Sequence, residues 1–348
     1  MLQLNGVFLV DSPNSADEIE FGFKRLGIKL TKRTANGKAA VSSEVLDQFI
    51  SWTENGDPVT PEWGSPGHLA LAISEAKKWR KWRTTWLESF LENRDANDRC
   101  HPSIHTLRAR TARMSITGIP AQTLPSGDSL IRNCFIANDG HQIVSVDFAN
   151  QELRVLAALS QDEVMLQAFR DGLDLHQITA DAAGVSRKIG KMTNFQTAYG
   201  GGPGALSSAA GISYKTAKQV HEAFAARYTG FTRWKDKIVE EARRNGCVWT
   251  PTGRRIIVDS DRAYSATNYE IQSTSRDVTC HGLIELDRQG LAEYLLLPIH
   301  DEVLASVPEN EAEELARSIA KTMEMRFRGL DITTDWEIAG RSWGGKYE

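Results

Sequence analysis

The sequence predicts an α+β protein composed of two or three subdomains. A strand leads directly into a helix in VSVDFANQELRVLAALSQDE, at 144–163. Helical patterns dominate from Gln151 to about Arg244, and apolar runs on both sides of short polar turns predict hairpins at 246–258 and 295–308. The chain of 348 residues is longer than one simple core accommodates, so several subdomains are expected.

The first elements are a strand and a capped helix. NGVFLVD predicts the strand. SADEIEFGFKRLG predicts a helix in which Ser15 caps the N-terminus, Glu18 closes a capping box and Gly27 ends the helix. SSEVLDQFISW predicts another short helix, and a break rich in proline and glycine follows at 58–67.

A long helix is predicted from about His68 to Leu91. Trp79, Trp82 and Trp86 are spaced three and four residues apart and therefore share one face. Packing of this face against a neighbouring element is the simpler interpretation, while the lysines and arginines on the other side contact either phosphates or solvent.

Later in the chain, residues 104–136 are polar and rich in turns. Two further helices are expected, one from about Tyr264 to Gln289 and one from about Glu309 to Arg328, on either side of the last hairpin.

Composition restricts the class of protein. The hydrophobic share of 41% and the charged share of 25% are ordinary for a globular protein. No apolar run of about 18 residues occurs, and the N-terminal stretch has no basic region or cleavage site, so neither a membrane span nor a signal peptide is expected. Widely separated cysteines favour reduced thiols in the cytoplasm and disfavour a zinc site.

The net charge of -4 argues against a wholly basic nucleic-acid-binding surface, but the charge is uneven. The stretches EAKKWRKWRTTW at 75–86 and RARTAR at 108–113 are basic. Local stripes of this kind, rather than net charge, decide whether phosphates bind.

Two acids interrupt apolar runs near strand ends. Asp147 follows the strand that leads into the helix at Gln151, and Asp301 lies between the apolar runs of the last hairpin. Each acid alone is more simply explained as a turn or capping residue. If the two strands are neighbours, both carboxylates lie at the edge of one sheet and repel each other unless cations lie between them. Magnesium suits such ligands, and two ions roughly 3.5–4 Å apart can clamp the attacking and leaving oxygens of a phosphoryl transfer.

The stretch SRKIGKMTNFQTAYGGG predicts a helix capped by Ser186. Arg187, Lys191, Phe195 and Tyr199 recur every fourth residue, and each step drifts only about 40° around a helix. The stripe is cationic first and aromatic second, which is the order of the anionic tail and the flat base in a nucleoside triphosphate. A solvated basic face above ordinary core aromatics is the alternative.

ATNYEIQSTSRD places Asn268 and Gln272 four residues apart on one helical face. Amides in such positions can donate hydrogen bonds to base edges in a minor groove. Hydrogen bonding to a neighbouring helix is the alternative.

Three stretches in order resemble the palm-and-fingers motifs of family A DNA polymerases, the DNA polymerase I type: VSVDFANQELRVLAALSQD, RKIGKMTNFQTAYG and LPIHDEVL. GLDLHQITA is similar to a fingers segment of that family, TARMS with IPAQTLP to its primer-template segment, TPTGRRI to its fingers-to-palm hairpin, and TNYEIQSTSRD to its minor-groove helix. The resemblance covers nearly the whole chain, from about Ser12 onward.

The resemblance implies a right-hand polymerase fold, with an antiparallel-sheet palm, helical fingers and a small helical thumb. Residues 1–100 are then expected to hold an N-terminal strand and a reduced thumb, 101–160 the first part of the palm, 161–262 the fingers and 263–348 the second part of the palm. The thumb is expected to be reduced because NGVFLVD runs almost directly into the next helix, where the family places a long thumb helix.

The resemblance also implies the functional residues. Asp147, Asp301 and the backbone of Phe148 would bind two Mg²⁺ ions, for which Mn²⁺ could substitute. The catalytic set would be Asp147, Asp301, Glu302 and Lys191. Arg187, Lys191 and His176 would contact the phosphates of the deoxynucleoside triphosphate. Phe195 would lie beside its sugar and base, and Tyr199 at the templating position. Glu152 would block a 2′-hydroxyl. Those expected to contact the primer-template are Arg113, Asn268, Gln272, His300 and Arg254.

Besides the reduced thumb, three further features depart from the family pattern. Gln196 stands where the family usually has glycine, Asn150 replaces the usual glutamine, and the stretch from His176 to Arg187 is shorter. These changes are expected to alter the space beside the sugar or template and to trim the fingers.

The sequence therefore predicts template-directed DNA synthesis, without a proofreading exonuclease on this chain. The alternatives are a two-metal nuclease, which needs no triphosphate site, and a catalytically decayed DNA-binding module. The expected partners are primer-template DNA and deoxynucleoside triphosphates, with a separate exonuclease, helicase or clamp-like factor. A monomer is expected in the cytoplasm of a bacterial or phage-infected cell, in replication or repair.

Overall fold

The structure is a computed structural model and describes residues 2–4, 7–53, 56–125 and 129–347. The chain divides into two compact units, residues 1–101 and 102–348. Helices and strands are mixed along the chain, which confirms the α+β class. Within the described ranges, no helix combines the length and the apolar character needed to cross a membrane.

The first unit is a small strand pair followed by helices. Its elements are β1 Leu2–Leu4, β2 Val7–Val10, α1 Ala16–Arg25, α2 Ser43–Leu46, α3 Pro66–Trp82 and α4 Glu88–Asn93, with a π-helical turn at Arg83–Leu87 joining the last two. The strand predicted from NGVFLVD corresponds to β2, while Asn5 and Gly6 of that stretch lie outside the described residues. The predicted long helix thus begins two residues earlier and ends two residues later than expected.

The capping box predicted for α1 is only half correct. Ser15 caps the helix as expected, since its hydroxyl accepts a hydrogen bond from the N–H of Glu18. The Glu18 carboxylate, however, accepts from the N–H groups of Asp11 at 2.9 Å and Ser12 at 2.7 Å. It therefore fixes the turn that enters the helix instead of bonding back to Ser15. Gly27 ends the helix in a left-handed conformation with φ 78°.

The tryptophan face predicted on α3 and the turn after it is largely buried. Trp82 and Trp86 are buried, whereas Trp79 remains 47% exposed. Lys78 places its ammonium 5.1 Å from the ring centre of Trp79 and 4.9 Å from that of Trp82. A cation above these rings is favourable because the faces of the rings carry negative charge.

The second unit contains the remaining elements. The strands are β3 Ser103–His105, β4 Ser115–Thr117, β5 His141–Phe148, β6 Cys247–Trp249, β7 Arg255–Ile257, β8 Leu295–Ile299, β9 Glu302–Pro308, β10 Met325–Phe327, β11 Leu330–Ile332 and β12 Thr334–Gly340. The helices are α5 Gln151–Ser160, α6 Glu163–Arg170, α7 Leu175–Ala183, α8 Arg187–Ala198, α9 Pro203–Ala210, α10 Tyr214–Arg227, α11 Thr229–Asn245, α12 Ala266–Arg288 and α13 Ala312–Met323.

A four-stranded antiparallel sheet of order β12-β5-β9-β8 lies at the centre of this unit. Alternate residues of β5, including Val144 and Val146, belong to one hydrophobic cluster with residues of α5, α12 and α13. The other face of β5 carries Ser145 and Asp147, because side chains alternate along a strand. In the antiparallel register of β5 with β9, Asp147 lies opposite Glu302. The acids thus lie on the face turned away from the main cluster.

Two segments were wrongly predicted. Residues 104–136 contain the short pair β3–β4, which the polar, turn-rich sequence did not indicate. The helix expected to reach Arg328 ends at Met323, because Glu324 has an extended backbone and Met325–Phe327 forms β10. Arg328 and Gly329, with left-handed φ of 47° and 86°, form the two-residue turn between β10 and β11. Neither these strands nor β12 was predicted.

Asp162 caps two helices at once. Its Oδ1 accepts hydrogen bonds from the N–H groups of Val164 and Met165 in α6, each at 3.1 Å. Its Oδ2 accepts from those of Gly230 at 2.8 Å and Phe231 at 3.1 Å, in the first turn of α11. The residue is buried, so this carboxylate satisfies four helix-end donors away from water.

Replacing Asp162 with alanine is therefore expected to lower the free energy of unfolding by about 3 kcal/mol, because several buried donors lose their acceptor. Urea unfolding followed by circular dichroism measures this. The matched control is Asp171→Ala at the other end of α6, where the carboxylate accepts a bond from the Gln167 side chain at the surface; its cost should be about 0.5 kcal/mol or less. Equal losses in the two variants would contradict the double-cap assignment.

Candidate catalytic site

The sheet brings the two predicted acids together. Asp147 is the penultimate residue of β5, and Asp301 follows His300 in the two-residue turn between β8 and β9. His300 has a left-handed φ of 58°, which lets the turn close tightly. The N–H of Phe148 donates to the carbonyl oxygen of Asp301 at 3.2 Å. The β5 end and this turn are therefore joined directly, beside both carboxylates.

The carboxylates carry more negative charge than their surroundings neutralise. Burial, together with the negative charges of Asp301 and Glu302, raises the pKa of Asp147 to about 7. Burial also raises the pKa of Asp301. The Oδ1 atom of Asp147 is buried and finds no hydrogen-bond partner among the described residues. An unneutralised pair with an unsatisfied oxygen is a favourable place for a cation.

A divalent metal fits this donor set. In the part of the chain that the structure describes, no three or more His, Cys, Asp or Glu side chains form a metal cage. Magnesium does not require one, because it binds through one or two carboxylates and takes its other ligands from water and phosphate oxygens. The Asp147 and Asp301 carboxylates fit this need, and the backbone of Phe148, next to Asp147, is the further predicted donor.

Glu302 is held by two donors. Its Oε1 accepts hydrogen bonds from the Ser145 hydroxyl at 2.5 Å and from the Lys346 ammonium at 2.9 Å. The Lys346 ammonium also donates to the Ser145 hydroxyl, at 2.8 Å. Sequence reasoning missed Lys346, because GGKYE near the end of the chain contains no periodic pattern that would connect it with β5 or β9.

A further acid, Glu152, lies near Asp301 and Tyr199. It stands in the first turn of α5, where the Arg113 guanidinium donates to one carboxylate oxygen and the Tyr199 hydroxyl to the other. Burial and the Glu152 carboxylate raise the pKa of Tyr199, so its hydroxyl stays protonated and can donate. Burial and the Arg113 charge lower the pKa of His300. These side chains connect the carboxylate pair with the predicted stripe.

The stripe on α8 has the predicted order. Ser186 caps the helix, as expected. The ring centres of Phe195 and Tyr199 are 6.1 Å apart, and His176 of α7 adds a third ring 5.7 Å from Phe195. Burial lowers the pKa of His176, so its ring is neutral at physiological pH. The aromatic half of the stripe is therefore a continuous row of three rings.

The cationic half of the stripe is unevenly paired. The Arg187 guanidinium lies 2.5 Å from the Asp174 carboxylate, which also accepts from the N–H of His176. Lys191 is exposed and has no ion-pair partner within the described ranges. Gln196, where the family usually has glycine, lies against Gly201, since a Cβ at that glycine would come 2.8 Å from its side-chain oxygen.

Besides Arg113 and His300, the residues predicted to contact DNA lie on two elements, the β6–β7 hairpin and α12. Arg254, in the turn of the β6–β7 hairpin, pairs with Asp277 of α12 at 2.7 Å. Asn268 and Gln272 are half-buried on α12, and Asn268 Oδ1 has no hydrogen-bond partner among the described residues. Across the described ranges, no side-chain hydrogen bond or ion pair joins these three residues to the carboxylate pair.

The chain matches one family along most of its length. The family model described as DNA polymerase family A matches residues 1–345. The DNA polymerase of Mycobacterium phage L5 is 51% identical over 338 residues, which are 97% of this chain and 55% of that protein. The DNA polymerase I of Chloroflexus aurantiacus is 30% identical over 376 residues, which are 98% of this chain and 38% of that protein. The chain thus spans about half the length of the phage relative.

A solved structure shares the fold. The POL domain of Pol1 from M. smegmatis, in complex with DNA primer-template and dNTP, matches with a TM-score of 0.79 at 24% sequence identity. The match covers 97% of this chain and 62% of that chain. At this identity the similarity extends to the fold.

Glu270 on α12 lies between Asn268 and Gln272 in sequence and is only 4% exposed. Burial, together with the negative charge of Glu241, raises its pKa to about 8. Because the folded state binds this proton more tightly than the unfolded chain, stability falls as pH rises from the ordinary glutamate pKa to about 8, and is flat above.

Glu270→Gln should remove this slope. Relative to the wild type, the variant should gain about 3 kcal/mol in free energy of unfolding between pH 6 and pH 9. Urea unfolding at the two pH values measures the difference, with Glu240→Gln on the exposed face of α11 as the control. If both variants follow the wild-type pH dependence, Glu270 ionises normally in the folded protein.

Proposed function

We propose that this chain, which belongs to DNA polymerase family A, extends a DNA primer along a template with deoxynucleoside triphosphates. The observation that carries the proposal is the arrangement of the Asp147–Asp301 pair, of Glu152, whose charge acts on Asp301, and of the Tyr199 and Phe195 rings that lead from Glu152 into the α8 stripe. It combines a site for divalent cations with a site shaped for a triphosphate and a base.

In this proposal the central sheet and α12, from 101–160 and 263–348, form the palm. The helices of 161–262 form the fingers, and 1–100 contributes a strand and a reduced thumb. The mixed content of helix and sheet and the fold match support a polymerase domain. The division into palm, fingers and thumb follows from the order of the motifs along the chain.

Asp147, Asp301 and the backbone of Phe148 would hold two magnesium ions, or manganese in their place. When bound, these ions would neutralise phosphate charge and lower the pKa of the primer hydroxyl. The raised pKa of Asp147 and its unsatisfied Oδ1 support this role, since both conditions are relieved when a cation binds.

The residues of α7 and α8 would orient the triphosphate. Arg187 and Lys191 supply positive charge to the phosphates, and neutral His176 supplies a hydrogen-bond donor. Phe195 would lie against the sugar and base, with Tyr199 at the templating position. Lys191 would donate a proton to the leaving pyrophosphate, and a positioned acid of this kind contributes roughly 10²–10⁴-fold to a rate.

Glu152 would exclude ribonucleotides. Arg113 and Tyr199 each hold one of its carboxylate oxygens, so the side chain cannot swing away from an incoming 2′-hydroxyl. Arg113 and His300 would contact the primer-template beside the carboxylates, while Asn268, Gln272 and Arg254 would contact it farther along the duplex. Glu302, opposite Asp147 on the neighbouring strand, would add its negative charge to the metal site.

The alternative of a two-metal nuclease needs the carboxylate pair but not the stripe on α8. The row of three rings and the two cations of the α8 stripe favour nucleotide addition over hydrolysis. A primer-template incubated with magnesium and deoxynucleoside triphosphates distinguishes the two, because synthesis lengthens the labelled strand and hydrolysis shortens it. The relatives are phage and bacterial DNA polymerases, so we place the activity in the bacterial cytoplasm.

Asp147→Asn is expected to reduce primer extension on the order of a thousandfold, because several kcal/mol of charge stabilisation depend on the metals it holds. Primer-template affinity, measured by fluorescence anisotropy without metal, should be unchanged or tighter, since a negative charge is lost. The control is Asp331→Asn, an exposed acid of β11, which should extend primers like the wild type. Extension by Asp147→Asn at the wild-type rate would refute the assignment.

Glu152→Ala is expected to admit ribonucleotides. The ratio of kcat/KM for deoxy- over ribonucleotides should fall on the order of a hundredfold, because the barrier to the 2′-hydroxyl is gone. Tyr199→Phe removes one of the two groups that hold Glu152 and should give an intermediate ratio. Single-nucleotide incorporation assays measure both, and a wild-type ratio in Glu152→Ala would remove the gating role.

A further inference from the structure

The segment Trp343–Tyr347 fixes Lys346 against the central sheet. Trp343 is buried and packs edge to face on Phe135, with ring centres 5.8 Å apart. At Gly345 an added Cβ would lie only 2.0 Å from the Ala339 carbonyl oxygen of β12, so the backbone lies directly on that strand. The position of the Lys346 ammonium is therefore set by the packing of its segment.

This ammonium lies on the face of the sheet that carries the proposed metal ligands. Glu302, which it contacts, is the cross-strand partner of Asp147. Side chains in such pairs have Cβ atoms about 4.5–5.5 Å apart, close enough to coordinate the same cation. The Glu302 and Lys346 side chains are only 13% and 20% exposed, so the ion pair is shielded from water on most sides.

We propose that Lys346 is a positioning residue that holds Glu302 back from the metal site. The inference rests on the proposed function, in which Asp147 and Asp301 bind divalent cations. Lys346 and Ser145 both bond Glu302 Oε1 and so fix the orientation of a carboxylate that would otherwise be free to turn and act as a third carboxylate ligand. With Glu302 retained, two carboxylates face the metals, and coordination positions stay open for water and for the substrate phosphates.

Loss of Lys346 then has two opposite effects. A third carboxylate joins the site, and cation affinity rises because it increases with the charge of the ligands. The same carboxylate occupies positions that the phosphates need, so turnover falls. A variant that only disturbed the local structure would lower both cation affinity and turnover. The direction of the change in cation affinity therefore decides between the two explanations.

Mn²⁺ binding to the full chain, without DNA or nucleotide, tests this directly through the electron paramagnetic resonance signal of free Mn²⁺. Lys346→Met is expected to bind Mn²⁺ roughly tenfold more tightly than the wild type, while primer extension in Mg²⁺ slows. Lys346→Arg, which keeps the charge, should restore both values. Adding Glu302→Gln to Lys346→Met should return Mn²⁺ affinity to near the wild-type value.

The control for charge removal is Lys321→Met on α13, whose ammonium pairs with Glu324 at the surface; it should leave Mn²⁺ affinity unchanged. Thermal melting shows whether each variant is folded. If Lys346→Met does not fold, Lys346→Gln takes its place in the Mn²⁺ binding experiment. Unchanged or weaker Mn²⁺ binding in folded Lys346→Met or Lys346→Gln overturns the inference.

The proposed function has its own test in the same experiment. Replacing both Asp147 and Asp301 with asparagine should abolish the Mn²⁺ binding of the wild type. If binding survives that change, the metal site itself is wrong. If binding is lost there but Lys346→Met binds no tighter than the wild type, only the role of Lys346 is wrong.

Discussion

The repulsion between the carboxylates of Asp147 and Asp301 is the constraint on which the site depends. The acids cannot separate, because the N–H of Phe148 is bonded to the Asp301 carbonyl and the β5–β9 ladder fixes the register. A buried acceptor without a partner costs about 1–3 kcal/mol, and Asp147 Oδ1 is such an acceptor. The sheet maintains this unfavourable arrangement, which bound cations would relieve.

Other charged side chains of the site form ion pairs with one another, so none of these pairs neutralises Asp147 and Asp301. Lys346 pairs with Glu302, Arg113 with Glu152, and Asp174 with Arg187. In the described part of the chain, Asp147, Asp301 and Lys191 remain without ion-pair partners. These are two negative groups suited to cations and one positive group suited to phosphate. The protein thus leaves unpaired the charges that a metal-bound triphosphate would neutralise.

Local patterns predicted much of this arrangement, and long-range pairing accounts for the rest. The α8 stripe could be predicted because a four-residue spacing and a serine cap are properties of one helix. The pairing of β5 with β9 had to be assumed, since nothing local to either strand specifies its neighbour. Lys346 and β12 were missed for the same reason: they acquire their positions only when they pack against β5.

Asp162 and Asp147 occupy similar places in the sequence, but their hydrogen bonding in the structure differs. Each is an acid just before a helix, for which capping is the ordinary explanation. Asp162 fits it completely, since its two oxygens accept four backbone N–H bonds. Asp147 does not, since its buried Oδ1 accepts none from the described residues and the neighbouring carboxylates raise its pKa. A turn or cap would satisfy that oxygen, so its unsatisfied state favours a ligand from outside the chain.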